Sequence, residues 1–226
     1  MKIDCIILAG GEGPGTGAYK DKAFIELSGR PLISYVLGAV KSFFLGVIVV
    51  VKNKNQKDRM EKTLWDLRNL WNLAGRGGKP AAPQISVVAD NAVEQSAVTS
   101  IRAGLSNSTA THAFVVSCGM PFIDGVTVFA LLNKARPSVD CVAYKTGDRV
   151  KIGDKSKKYE TMCAIYSRQM IENLDDTTSL QNSIDELDDT KKVIVVAYEK
   201  KQFFSIDTAE DLEKAESMTK KRESGK

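Results

Sequence analysis

Uninterrupted apolar runs recur along this chain, and they constrain its fold more than any other feature. The clearest one covers residues 46–51, with the sequence GVIVVV. Runs of this kind predict strands at 3–8, 46–52, 85–89, 113–118, 140–144, 160–166 and 193–198. Because their interiors are apolar throughout rather than alternating, they are typical of strands that helices cover on both faces of a largely parallel sheet.

Helical patterns occupy the segments between these runs. Pro31 suits the first position of a helix, and Val98, Ile101 and Leu105 recur at helical spacing after the third run. Strands that alternate with helices predict an α/β fold, here a single Rossmann-like domain of three layers with a mostly parallel, mixed sheet. We place this domain at residues 1–218 and expect residues 219–226, which include four basic side chains, to form a flexible tail.

The composition is ordinary for a soluble domain. The chain has 226 residues, of which 43% are hydrophobic, enough for one sizeable core. Much of its net charge of +4 comes from the basic tail, so we expect no nucleic-acid partner. No apolar run approaches the ~20 residues that span a bilayer, so we expect no membrane segment. The four cysteines form no C-x-x-C pair, which predicts buried free thiols in a cytoplasmic protein.

A pair of glycines follows the first apolar run. The loop reads Leu8-Ala9-Gly10-Gly11, and Lys22 comes after it. Glycines allow a sharp turn where the chain leaves the strand, and they let backbone N–H groups approach a ligand without a Cβ in the way. Lys22 adds a positive charge that suits charge-assisted contacts with phosphate. A strand, a glycine-rich loop, a lysine and a helix in this order predict a site for the phosphates of a nucleotide.

The chain contains a single histidine, His112. Zinc sites built from several histidines are therefore excluded. His112 comes at the start of the run 113–118, whereas catalytic groups of open parallel sheets gather where the strands end. We therefore expect this histidine to be structural or exposed.

Four segments together resemble the molybdenum cofactor guanylyltransferase-like nucleotidyltransferases, within the glycosyltransferase-A-like superfamily. They are 8–11 with 21–32, 98–105, 117–122 and 205–212. The resemblance implies the fold of nucleotide-diphospho-sugar transferases. It also implies an enzyme that moves a nucleoside monophosphate from a nucleoside triphosphate to a small phosphorylated acceptor and releases pyrophosphate. Molybdopterin guanylylation is the nearest named activity, and cytidylyl transfer to methylerythritol phosphate or transfer to a sugar phosphate or cobinamide phosphate stays open.

The same resemblance assigns roles in nucleotide binding and catalysis. It implies that Lys22 contacts phosphate and is the catalytic residue, and that backbone groups of the 8–11 loop face the base and ribose. Gln95 and Ser96 occupy the position that reads the base in this superfamily. The polar start of a helix would place the same two residues there, so both interpretations stay open.

The resemblance also implies bound Mg²⁺, with Asp207 at the position of the family's second metal contact. Mg²⁺ prefers carboxylate, phosphate and water oxygens, which suits this residue. Asp207 and Thr208 are equally suited to the N-cap of the last helix. Among other carboxylates near strand ends, Asp90 could reach the ligand crevice, while Asp124 is better placed to cap the helix that follows it.

Two positions depart from the family's pattern. Gly15 stands where the family carries an arginine, and Gly119 stands where it carries the aspartate that binds magnesium. Lys20 could replace part of the missing arginine charge, although a lysine lacks the bidentate fork. The departures keep open an alternative function, a degenerate member that binds a nucleotide or a partner protein without turnover. The base, the acceptor and the oligomeric state are not specified by the sequence.

Overall fold

The computed structural model describes residues 1–13, 21–74, 83–145, 159–196 and 201–223. Its strands are β1 (Ile3–Leu8), β2 (Glu26–Leu27), β3 (Arg30–Pro31), β4 (Gly46–Val51), β5 (Gln84–Ala89), β6 (His112–Ser117), β7 (Cys141–Lys145), β8 (Tyr159–Ser167) and β9 (Lys192–Val196). Its helices are α1 (Leu32–Val40), α2 (Lys54–Ala74), α3 (Ala97–Ser106), α4 (Gly125–Lys134), α5 (Arg168–Glu172), α6 (Leu180–Glu186) and α7 (Ala209–Glu223). Every apolar run predicted as a strand is one.

The main sheet has seven strands in the order β5-β4-β1-β6-β8-β7-β9. β8 runs antiparallel to both neighbours, β6 and β7, while the other pairs are parallel. The predicted mixed, mostly parallel α/β sheet is therefore confirmed. The carboxyl ends of β1, β4, β5 and β6 lie along one edge of this sheet, where ligands of open α/β folds bind.

Helices cover both faces of the sheet, which explains the uninterrupted apolar runs. In β1, Cys5 and Ile7 face a core shared with α1, α2 and α4, while Ile6 between them faces a second core shared with α3, α5 and α6. All three side chains are fully buried. Both sides of the strand must therefore be apolar.

Two helix glycines differ in their surroundings and allow a test of this packing. A Cβ on Gly104 in α3 would lie 2.8 Å from Cδ1 of the buried Ile6, whereas a Cβ on Gly38 in α1 would meet nothing within 4 Å. We expect Gly104→Ala to lower the free energy of unfolding by about 1–3 kcal/mol through overpacking. Gly38→Ala should raise it by about 0.5–1 kcal/mol, because alanine favours a helix. Urea unfolding measures both changes, and a stabilised Gly104→Ala would contradict the close packing of α3 on β1.

A short hairpin between the glycine loop and α1 was not predicted. β2 and β3 pair antiparallel around Ser28 and Gly29, whose φ angles are 49° and 71°. Positive φ at both central residues is the requirement of a tight two-residue hairpin turn. Pro31 ends this hairpin and is the N-cap of α1. The sequence predicted it one position further on, as the first residue of the helix.

The last helix continues past the domain boundary predicted at residue 218. α7 runs from Ala209 to Glu223, so the basic residues 220–222 are helical, and residues 224–226 lie outside the described part of the chain. Flexibility of residues 219–226 stays a prediction. Among the described residues, none of the helices combines the length and apolar character that a bilayer crossing requires.

His112 begins β6, at the edge of the sheet opposite the strand ends described above. Its Nε2 lies 3.0 Å from the carbonyl oxygen of Val139, and its Nδ1 lies 3.1 Å from Oγ1 of Thr111. The imidazole is buried and bonded on both nitrogens. The predicted structural role is confirmed.

Candidate functional site

The loop after β1 is held between two neighbouring strands. The N–H of Ala9 donates to the carbonyl of Val50 at 2.7 Å, and the N–H of Cys118 donates to the carbonyl of Leu8 at 3.0 Å. The sharp turn expected of the glycine pair is not what the structure shows. Among the described glycines, positive φ occurs at Gly29, so the 8–11 loop does not use the left-handed region.

Space, not backbone conformation, explains the first of the two loop glycines, while neither requires a glycine at the second. A Cβ on Gly10 would lie 2.9 Å from the backbone nitrogen of Lys52, which follows β4. Contacts under 3 Å with backbone atoms cannot be relieved by a side-chain rotation, so Gly10 lets the loop lie directly against β4. Gly11 is exposed, and a Cβ there would meet nothing within 4 Å. Its surroundings are open to a ligand.

A crevice of about 570 Å³ opens between this loop and the start of α3. Its lining residues are Leu8, Gly10, Gly11, Glu12, Lys52, Val93, Gln95, Ser96, Ala97 and Ser100. A volume of this size falls within the usual range of small-molecule sites. The structure therefore brings five of the seven predicted nucleotide-binding residues to this crevice; Lys22 and Ala9, whose side chain is buried, are not among the lining residues.

Gln95 and Ser96 line the crevice, but their side chains already have structural partners. Nε2 of Gln95 donates to the carbonyls of Lys52 and Asp90 at 2.8 and 2.9 Å. Ser96 is the N-cap of α3: its Oγ accepts from the N–H of Thr99 and donates to the carbonyl of Asp176. The helix-start interpretation is therefore confirmed for Ser96, and reading of a base by either residue stays a prediction.

The two other candidate carboxylates also have structural partners. Asp90 is 3% exposed and accepts from Oγ1 of Thr99 at 3.0 Å and from Oγ of Ser100 at 2.7 Å. Asp124 is the N-cap of α4, as predicted, and accepts from the N–H of Thr127 at 2.9 Å. Asp90 therefore organises the wall of the crevice and does not extend into it.

Lys22 is held between the glycine loop and Asp207. Its backbone N–H donates to the carbonyl of Gly11 at 3.1 Å, and its ammonium forms an ion pair with Asp207. The preceding residue, Asp21, is tied to α2 through Nε2 of Gln56 at 2.5 Å, which fixes the turn that carries Lys22. The Lys22 side chain is only 11% exposed, whereas that of Asp207 is 60% exposed. Lys22 is therefore a positioned, buried cation and not a solvated surface lysine.

The ion pair with Lys22 bears on whether Asp207 caps the last helix or is a candidate cation ligand. The start of α7 is capped by Thr208 and Asp211, because Oγ1 of Thr208 accepts from the N–H of Asp211 and the Asp211 carboxylate accepts from the N–H of Thr208. The Asp207 carboxylate therefore points to Lys22 and is not the helix cap. It stays a candidate ligand for a cation.

The residues present do not make a Mg²⁺ site in the way that the resemblance implies. Among the described residues, no group of three or more His, Cys, Asp or Glu side chains could hold a metal ion. Asp207 already pairs with Lys22, and Gly119 has no side chain to offer. Mg²⁺ sites in phosphate enzymes use one or two carboxylates together with phosphate oxygens. The described residues at this strand end therefore offer Mg²⁺ a single carboxylate, which the Lys22 ammonium already contacts.

Sequence reasoning missed an ion pair at the rim of the crevice. Nζ of Lys52 lies 3.3 Å from Oε1 of Glu12. The signal was present, because Lys52 directly follows the apolar run 46–51 and so stands at a strand end. The positions of Gly15 and Lys20 fall outside the described residues.

The nearby thiol of Cys118 does not suit nucleophilic chemistry. Burial raises the pKa of this thiol to about 12, although the neighbouring Lys22 charge acts in the opposite direction. Attack requires the thiolate, which is scarce at neutral pH when the pKa is so high. All four cysteines are buried and free, as predicted.

Sequence comparison links the chain to known proteins. The family model described as the MobA-like NTP transferase domain matches residues 5–190. A molybdenum cofactor guanylyltransferase of Desulfosudis oleivorans is 26% identical over 225 residues, covering 95% of this chain and 95% of that protein. The family-model match spans both the glycine loop and the end of β6.

Solved structures share the fold. The molybdopterin-guanine dinucleotide biosynthesis protein A of Archaeoglobus fulgidus has a TM-score of 0.67 at 19% identity, over 96% of this chain and 99% of that one. The 4-diphosphocytidyl-2C-methyl-D-erythritol synthase of Anaerococcus prevotii has a TM-score of 0.66 at 18% identity, over 97% and 96%. These similarities confirm the predicted fold class.

Proposed function

Because this chain belongs to the MobA-like NTP transferase family, we propose that it is a nucleotidyltransferase, with molybdopterin guanylylation as the nearest named activity. In this reaction, a phosphate oxygen of the acceptor attacks the α-phosphorus of a nucleoside triphosphate. The bond between the α-phosphorus and the bridging oxygen to the β-phosphate breaks, and pyrophosphate leaves. The names of the curated relatives, molybdenum cofactor guanylyltransferases, support this class of substrates.

The observation that carries the proposal is the buried Lys22 ammonium beside the glycine loop. The backbone of Lys22 is bonded to Gly11, and Gly11 lines the crevice. Catalysis of phosphoryl-type transfer depends mainly on positioning and on neutralising charge. A lysine held in place by an ion pair is already oriented for a phosphate, so it loses less side-chain entropy on binding than an exposed lysine.

The remaining crevice suits the base and ribose of the nucleotide. Its lining includes the backbone and small side chains of Gly10, Gly11 and Ala97, together with the cation of Lys52 and the carboxylate of Glu12. A base placed there would meet both a hydrogen-bond donor and an acceptor. We therefore propose that the crevice selects among bases at its rim, next to the lysine that contacts the phosphates.

A second candidate function is nucleotide binding without turnover. The Lys22 charge is offset by Asp207, and Gly119 supplies no carboxylate at the end of β6. Charge neutralisation at the phosphates would therefore be weaker than in an enzyme with two carboxylates and a metal ion. Binding would persist in such a protein, because the glycine loop and the crevice remain.

Measurement of pyrophosphate release separates the two functions. Each of the four nucleoside triphosphates is incubated with the protein and either molybdopterin or methylerythritol phosphate, and binding of each triphosphate is measured by calorimetry. Acceptor-dependent release of pyrophosphate supports the transferase. Triphosphate binding with no release of pyrophosphate for either acceptor supports the binding protein. A protein that binds none of the four triphosphates contradicts both functions.

We also propose a cytoplasmic location. All four cysteines carry free thiols, which is typical of reducing compartments. The proposed partners are a nucleoside triphosphate and a small phosphorylated acceptor. Both are diffusible solutes, so the proposed reaction needs no nucleic acid or membrane.

A further inference from the structure

Lys22 packs over Gly119, the glycine at the end of β6. A Cβ on Gly119 would lie 2.8 Å from Cδ of Lys22 and 3.5 Å from its Nζ, with Oγ of Ser205 at 3.2 Å. A separation under 3 Å requires one group to move, and Lys22 is the flexible one. The absence of a side chain at Gly119 therefore creates the space through which Lys22 reaches Asp207.

Separate segments of the chain meet around Lys22. Lys22 is bonded through its backbone to the glycine loop, and the N–H of Ile206 donates to the carbonyl of Gly119 at 2.9 Å. The end of β6 and the segment before α7 are thereby held together below the lysine. The backbone on both sides of Lys22 is therefore fixed, while the ammonium itself is held by Asp207.

The ammonium retains capacity to bind a ligand. A lysine has three N–H donors, and one of them goes to Asp207. The other two have no hydrogen-bond acceptor among the described residues, although the side chain is only 11% exposed. Polar groups this deeply buried normally find partners, and oxygens of a bound phosphate would supply them.

We infer that the Lys22 ammonium takes the place of a divalent cation at the end of β6, so that the chain binds the phosphates of its nucleotide without Mg²⁺. The inference rests on the proposed function, because it requires a triphosphate in the crevice. Its consequence is that Gly119 is a positioning residue for Lys22. At Asp207, Mg²⁺ and the Lys22 ammonium would compete for one carboxylate.

Calorimetry with the tightest-binding of the four triphosphates tests the inference, in buffer with excess Mg²⁺ and in buffer with EDTA. We expect equal dissociation constants for the wild type in the two buffers. Lys22→Met removes the charge and should weaken binding in EDTA by roughly ten- to hundredfold, the range for a lost charge-assisted hydrogen bond. Thermal unfolding of each variant checks that the fold is retained.

Lys192→Met is the matched control. Lys192 is also buried, with 13% of its side chain exposed, and it pairs with the exposed carboxylate of Asp189. It lies at the start of β9, at the opposite edge of the sheet from the site. Its substitution removes the same charge from a similar environment and should leave triphosphate binding unchanged.

Gly119→Ala tests the positioning role without removing any charge. The added methyl group displaces Lys22 from Asp207, so we expect weaker binding in EDTA, while Gly38→Ala as control has no effect. Gly119→Asp adds a carboxylate and should make binding tighter in Mg²⁺ than in EDTA. Wild-type binding that requires Mg²⁺ would overturn the inference and leave the proposed function intact. Absence of triphosphate binding in both buffers would overturn the proposed function as well.

Discussion

Asp90→Ala is expected to lower the free energy of unfolding by about 3 kcal/mol, because it removes a buried acceptor from three donors at the start of α3 and the segment before it. The Asp90 carboxylate accepts from Oγ1 of Thr99, from Oγ of Ser100 and from the N–H of Ala92. Of these donors, Ser100 lines the crevice, and only 3% of Asp90 is exposed.

Urea unfolding measures this loss, with Asp58→Ala as the control. Asp58 lies on the exposed face of α2, where it pairs with Lys54 at 3.1 Å. Exposed pairs of this kind contribute little, so the control should change the free energy of unfolding by less than about 0.5 kcal/mol. If Asp90→Ala were as stable as Asp58→Ala, Asp90 could not be the residue that holds the crevice wall.

The strands were predictable because their apolar runs are long and continuous. The antiparallel direction of β8 was not, since an apolar run carries no direction and its pairing is decided by contacts distant in the sequence. The β2–β3 hairpin was missed for a different reason. Two-residue strands are too short for periodicity, and the signal was the Ser28-Gly29 turn.

The position of the candidate site could be predicted from the sequence, but the hydrogen bonds and ion pairs of its side chains could be predicted less well. Strand ends and the glycine loop correctly indicated Gln95 and Ser96, which line the crevice, and Lys22, whose backbone is bonded to the lining residue Gly11. The Lys22–Asp207 ion pair joins residues 185 positions apart, and nothing in the local sequence of either residue specifies the other. The contacts of Gln95 could not be predicted for another reason. A glutamine amide can bind a base or backbone carbonyls equally well, and here it binds backbone carbonyls.

Gly10→Ala should have the second large effect, because it should lower both the stability of the fold and the affinity for triphosphate. The added Cβ would lie 2.9 Å from the backbone nitrogen of Lys52 and 3.2 Å from the carbonyl carbon of Val51. Because backbone atoms cannot rotate away, the end of β1 must move off β4. We expect a loss of about 2–3 kcal/mol in the free energy of unfolding, at the upper end of overpacking effects. Triphosphate affinity should fall more than about tenfold, because the displaced loop lines the crevice.

Gly11→Ala should weaken triphosphate binding without changing the stability of the fold. The residue next to Gly10 is exposed, has no positive φ, and a Cβ there would meet nothing within 4 Å. Its substitution should therefore change the free energy of unfolding by less than about 0.5 kcal/mol. Triphosphate affinity measured by calorimetry should nevertheless fall, because a methyl group would stand where the phosphates or ribose approach the backbone. If Gly11→Ala bound triphosphate as tightly as the wild type, the nucleotide would have to lie away from the 8–11 loop.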